Sequence, residues 1–265
     1  MNVYLRELKA HRKGLFFWSL AMVFLVASGI AKFNAYQTNG QSIATIVNQF
    51  PHSVQIIFGI SGFDLTKVSG YYGVLFLYIA ITGALHAVLL GSEIIAKEER
   101  DRTSEFLFVR PISRSRVISA KLLAGLTDLV ILNLATFLSS LYFVNYFSKG
   151  QSITGFISWL LLGLFLLQLI FFSIGAEMAG VIRKPRLASS AAASILMFTL
   201  ILMFVINFNE SLEKLKFLTP FKYFDAQDIL SVNNIEPVYI VLSAIIVSLF
   251  IFGTYYYYSR RDLKV

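Results

Sequence analysis

Six runs of about twenty apolar residues, separated by short polar stretches, govern what this chain can become. Each run is long enough to cross a hydrocarbon layer of roughly 30 Å as a helix rising 1.5 Å per residue. The spans read from the sequence are Leu15 to Phe33, Tyr71 to Ser92, Val117 to Phe147, Ile153 to Ile182, Leu187 to Asn207 and Val238 to Tyr258. The third and fourth exceed what a bilayer needs, so they tilt or protrude. Apolar residues make up 57% of the 265 and charged residues 14%, which leaves no soluble domain of any size between the runs. The expectation is an all-α, polytopic protein of six transmembrane helices, with residues 1–265 forming one membrane domain.

The net charge of +8 would raise the question of nucleic acid in a soluble protein. Here the basic residues flank apolar runs, so they report orientation and anionic headgroups, and no nucleic-acid partner is expected. Sixteen Lys and Arg fall on one side: four before the first span, six between 93 and 116, then Arg183, Lys184 and Arg186, and finally Arg260, Arg261 and Lys264. The other side holds Lys32, Lys67, Lys149, Lys214, Lys216 and Lys222, and Lys121 lies inside the third span. The richer side faces the cytoplasm by the positive-inside rule, so both termini are expected there. Tyr71 and Tyr72 read as an outer aromatic girdle, and Tyr255 to Tyr258 as an inner one.

Residues 1 to 13 set Arg6, Lys9 and Lys13 against Tyr4, Leu8, His11 and Leu15. An N-terminal interfacial helix and a plain basic flank account for this pattern equally well. The first span resembles a secretory signal in its flanks, with Ala27-Ser28-Gly29 as small residues, but its apolar stretch is too long for a signal core. There is no cysteine, and the three histidines at 11, 52 and 86 are scattered, so neither a disulfide framework nor a metal site is expected.

The most informative segment follows the second span. Its polar stretch from Lys97 to Glu105 leads to the apolar tip Phe106-Leu107-Phe108-Val109 and then Pro111. Proline disfavours helix at the residue before it, so a short helix stops near Val109 and Ser113 can cap the next one. A corner of this kind projects apolar side chains ringed by charge, and needs a partner or a headgroup layer to cover them.

Glu93 to Glu98, Thr103-Ser104-Glu105-Phe106-Leu107, Arg110-Pro111-Ile112-Ser113-Arg114 and Lys121 together resemble type-2 permeases of ATP-binding cassette (ABC) transporters. Weaker matches are Phe58-Gly59 to Asp64-Leu65, Pro220 to Phe224, and Arg260-Arg261-Asp262-Leu263, which carry the likeness along the whole chain. The resemblance implies a short cytoplasmic coupling helix at Arg102, Thr103, Ser104, Glu105, Phe106, Leu107, Phe108 and Val109 that docks on a separate ATPase subunit. It implies two ATPase copies, a second permease that is the same or homologous, export rather than import, and a bacterial plasma membrane. ATP and magnesium belong to the partner. This chain has no G-x-x-x-x-G-K-[ST] phosphate loop, so no cofactor or catalytic residue is expected in it. A non-transporting membrane anchor of an ATPase remains an open alternative.

Four polar groups fall within apolar runs or at their edges. Lys121 and Glu177 lie near inner ends and can snorkel. His86 and Asp128 lie deeper and can meet if the second and third spans are neighbours, either as a wall of the translocation path or as a buried polar pair. The run ASSAAAS from Ala188 to Ser194 allows close helix approach, within the chain or between copies.

Competing chemistries fit poorly. Gly59-Ile60-Ser61-Gly62 matches the G-x-S-G of rhomboid-type proteases, but Ser61 lies in an outer loop and His86 toward the other side. Glu98-Glu99 resembles the paired glutamates of another membrane protease family, whose arginine would fall at Thr103. A gradient-driven carrier would show repeated halves and broken spans.

The chain lacks cysteine, so a single Ser104→Cys reports topology directly. An impermeant maleimide should label it only after the cells are permeabilised. Labelling from outside intact cells would refute the assigned orientation.

Overall fold

In a computed structural model of the chain, residues 3–38, 47, 49–101, 113–147 and 153–260 are described. These residues form helices and connections, without a strand among them. Six helices are long and apolar enough to cross a membrane: α1 (Val3–Thr38), α3 (Val68–Arg100), α4 (Arg114–Phe147), α5 (Thr154–Val181), α6 (Pro185–Phe208) and α8 (Pro237–Arg260). The short helices α2 (His52–Ile57) and α7 (Ala226–Val232) lie between them.

The first thirteen residues do not form a separate interfacial helix, because α1 runs unbroken from Val3 into the span. At 1.5 Å per residue its 36 residues reach about 54 Å, well beyond the hydrocarbon layer. Pro185 opens α6, its ring suiting the first turn of a helix, after α5 has ended at Val181. Pro237 begins α8 in the same way.

α5 is the hub, packed against α3, α4, α6 and α8, and its contact with α3 is the most extensive in the bundle. Two glycines explain that closeness. A methyl group added at Gly91 would strike the Phe172 carbonyl, and one at Gly175 would strike the carbonyl of Val88. Backbone therefore lies on backbone at this crossing, the kind of packing that drives helix association where lipid is as apolar as the side chains. α1 and α3 run antiparallel in one register, with Trp18 meeting His86, Gly29 meeting Leu75 and Phe33 meeting Tyr71.

The small-residue run of α6 packs inside the chain. Ala188 and Ala192 are fully buried, and Ser189 lies 3.0 Å from Ser92 of α3. Only one half of each tyrosine girdle faces outward. Tyr72 is fully buried and donates to Ser140 of α4 at 2.7 Å, whereas Tyr71 leans on Phe33. Adjacent residues on a helix point about 100° apart, so Tyr71 and Tyr72 meet different neighbours. Tyr255 likewise meets Ser119 at 2.7 Å and Tyr258 is buried, while Tyr256 and Tyr257 are exposed.

The stretch 208–236, between the fifth and sixth spans, folds over the end opposite the basic one. It forms two 3-10 helices (Glu210–Leu218 and Pro220–Phe224) and then α7. Asn209 accepts from the Ser211 amide at 3.0 Å, Asp225 accepts from the Gln227 amide at 3.0 Å, and Asn233 ends α7 in the left-handed region. Phe221 packs on Phe171 of α5, and Tyr223 stacks on Tyr239 of α8.

Gly91→Ala should lower stability by about 2 kcal/mol through overpacking. Gly155→Ala, whose new methyl meets nothing within 4 Å, should be neutral or slightly stabilising. Thermal unfolding of the two purified variants checks this, and equal melting would dismiss the backbone contact as a determinant.

Candidate functional site

The corner between the second and third spans is the segment from which sequence expects function. Its residues Arg102 to Val109 lie outside the described residues. What is described are the two helix ends that flank them. α3 ends at Arg100, with the Asp101 amide donating to the Lys97 carbonyl at 2.9 Å. α4 begins at Arg114, and the Ser113 carbonyl accepts from the amides of Arg116 and Val117 at 3.0 and 3.2 Å.

Within two turns of that corner, charges from three helices alternate in one chain of contacts. Lys97 of α3 donates to Glu7 of α1 at 2.7 Å. Arg6 donates to Glu7 and, at 2.8 Å, to Glu98 of α3. The other oxygen of Glu98 accepts from Lys121 of α4, whose ammonium also donates to the carbonyls of Ile94 and Ile95 at 2.6 and 3.4 Å. Glu7 and Lys121 are 0% exposed and Glu98 is 3%. His11 flanks the chain, its Nε2 3.9 Å from Glu7.

Three cations face two carboxylates here. The carbonyls near the C-terminal end of α3, where the helix dipole is negative, take the remaining positive charge. Ions this deeply buried persist only when each is paired and its hydrogen bonds are satisfied. Lys121 therefore does not snorkel: Glu98 and two carbonyls surround its ammonium, and water offers nothing nearer. Glu177 is partly buried and lies over Gly253 of α8.

His86 and Asp128 are both buried, on α3 and α4. His86 sits edge-on to Trp18 of α1, with ring centroids 5.1 Å apart, and its Nδ1 has no hydrogen-bond partner. Among the described residues no hydrogen bond joins it to Asp128. Nearer the middle of the bundle, Asn133 of α4 donates to Gln168 of α5, and Gln168 in turn donates to the Gly83 carbonyl of α3 at 3.4 Å.

Glu7, Arg6 and Glu98 were not singled out in sequence as one unit. The available signal was Glu7, a carboxylate in an otherwise basic flank, together with Lys121 inside an apolar run. Neither residue states its partner, because the partners lie about ninety or more positions away or on another helix.

The stretch Pro220 to Phe224 is the second 3-10 helix, with Phe221, Tyr223 and Phe224 buried. Among the described residues no cluster of His, Asp or Glu could hold a metal ion. Ser61 lies in a turn whose backbone carbonyl accepts from Gln227, whereas His86 is turned toward α1.

A family model described as ABC-2 family transporter protein matches residues 1–263. No curated protein matches the chain.

Breaking one member of the buried charge chain should cost more than removing a pair. Lys121→Met should destabilise by about 3 kcal/mol, because Glu98 would lose its buried ammonium. Adding Glu98→Gln should recover part of that loss, with a coupling of about 1–3 kcal/mol in the double-mutant cycle. Additive losses in unfolding measurements would show that the two residues act independently.

Proposed function

Because the chain belongs to the ABC-2 family of transporter proteins, and so is a membrane-spanning permease subunit of an ABC transporter, we propose that Arg102 to Val109 docks on its separate ATPase. The whole chain then acts as one permease domain. Two permeases and two ATPases make the working unit, ATP and magnesium are held by the ATPases, and the direction is export. Both termini and the 102–109 corner face the cytoplasm, on the strength of the sixteen-to-six basic asymmetry.

The observation that carries this reading is the charge chain at the base of the corner. Glu98 lies just before the segment and Lys121 two turns into α4 after it, and their bond ties the two stems together. Arg6 adds α1 to the same unit. A push on the corner would therefore move three helix ends jointly, and the α3–α5 backbone contact would pass that movement to the hub. Packed elements with strong polar ties shift as bodies and do not deform smoothly.

The apolar tip supplies the affinity. Phe106, Leu107, Phe108 and Val109 gain about 25 cal/mol per Å² by burial in a cleft of the ATPase. The charged rim from Arg102 to Glu105 sets orientation and partner choice.

Phe106→Asp should reduce ATPase recovered with the purified permease by about tenfold or more, the equivalent of losing one buried aromatic contact. If the ATPase still binds, transport per ATP should fall instead. Wild-type recovery together with wild-type transport per ATP would reject the docking role.

A further inference from the structure

At the end of the bundle opposite the charge chain lies a cavity of about 410 Å³ between α3, α6, the two 3-10 helices and α7. Its membrane side is apolar and aromatic, with Phe76, Phe204 and Phe221 among the lining residues. Its other side carries three carboxylates, Glu213, Asp225 and Asp228, against two lysines, Lys216 and Lys222.

Both lysines are already engaged. Lys222 donates to Asp225 at 2.6 Å and to Asn207 at 3.1 Å, and Lys216 donates to Glu213 at 2.9 Å. Asp228 has no ion-pair or side-chain hydrogen-bond partner among the described residues. Asp228 is an exposed residue of the cavity wall; the partial burial of its carboxyl raises it above the usual range, and Asp225 and Glu236 add to that, while Lys222 and Lys216 pull it back. An accessible carboxylate free of lysine, in a cavity whose other wall is aromatic, can pair with a cation attached to an apolar body.

We propose that this cavity binds a cationic amphiphile, with its ammonium on Asp228 and its apolar part against the phenylalanines. An anionic head would meet a surplus of carboxylates and find no unpaired lysine. A neutral head would leave Asp228 as it is. An ammonium amphiphile can come from solution or from the head of phosphatidylethanolamine in the surrounding leaflet.

Ser61 lines the cavity and contributes its backbone carbonyl to Gln227, so Ser61→Cys places a thiol there without removing that bond. The full chain carrying this substitution is placed in nanodiscs of phosphatidylglycerol and labelled with an impermeant maleimide. Dodecyltrimethylammonium should slow labelling and dodecyl sulfate should not. In a second arm, part of the phosphatidylglycerol is replaced by phosphatidylethanolamine without added detergent, and slowing there assigns the ammonium to the lipid.

Asp228→Asn should weaken protection about threefold, as expected for one partly exposed ion pair. The unprotected labelling rate should be unchanged in that variant, since Asp228 caps no helix; Asp225 does. Equal protection by dodecyl sulfate, no protection in either arm, or protection indifferent to Asp228→Asn would overturn the proposal.

Discussion

Helices immersed in hydrocarbon gain little from being apolar, since lipid chains solvate leucine as well as another helix does. Association must come from closer packing than lipid achieves, or from polar groups that lipid cannot satisfy. The crossing of α3 and α5 uses the first route, with Gly91 against the Phe172 carbonyl and Gly175 against that of Val88. With α5 fixed on α3, α4, α6 and α8 assemble around the same hub, and α1 follows through its contacts with α4 and α3.

The second route is graded along the bundle. Near its middle the links are neutral, Asn133 to Gln168 and Gln168 to Gly83, as is the link from Tyr72 to Ser140 toward the end opposite the basic one. At the basic end they are ionic, from Lys97 through Glu7, Arg6 and Glu98 to Lys121. A neutral hydrogen bond suits the depth where a charge costs most, whereas a charge chain suits helix ends close to water and headgroups. The ionic links also join the helix ends that flank residues 102–112.

The opposite end is built on another principle. The 3-10 helices and α7 are held by short local caps, by the aromatic contacts Phe171–Phe221 and Tyr223–Tyr239, and by Lys222 bridging Asn207 and Asp225. Aromatic rings with polar edges suit a lid that is apolar below and wet above. The cavity beneath it exists because this lid spans α3 and α6 and leaves space between them.

Several properties were legible in the sequence because they depend on composition summed over a helix length. Six spans follow from twenty-residue windows, since bilayer thickness and the need to satisfy every backbone group leave helices as the spanning form, and the basic asymmetry follows from counting the flanks between them. The permease likeness was equally legible, because it rests on residues contiguous around Thr103 to Arg114. Which helix touches which was not. Hydropathy marks a residue as belonging inside but says nothing about its azimuth or neighbour, so Tyr72 read as a girdle residue and Lys121 as a snorkelling one. Only the tertiary structure brought Arg6, Glu98 and Lys121 together, because a buried charge takes its partner from whichever helix packing sets beside it.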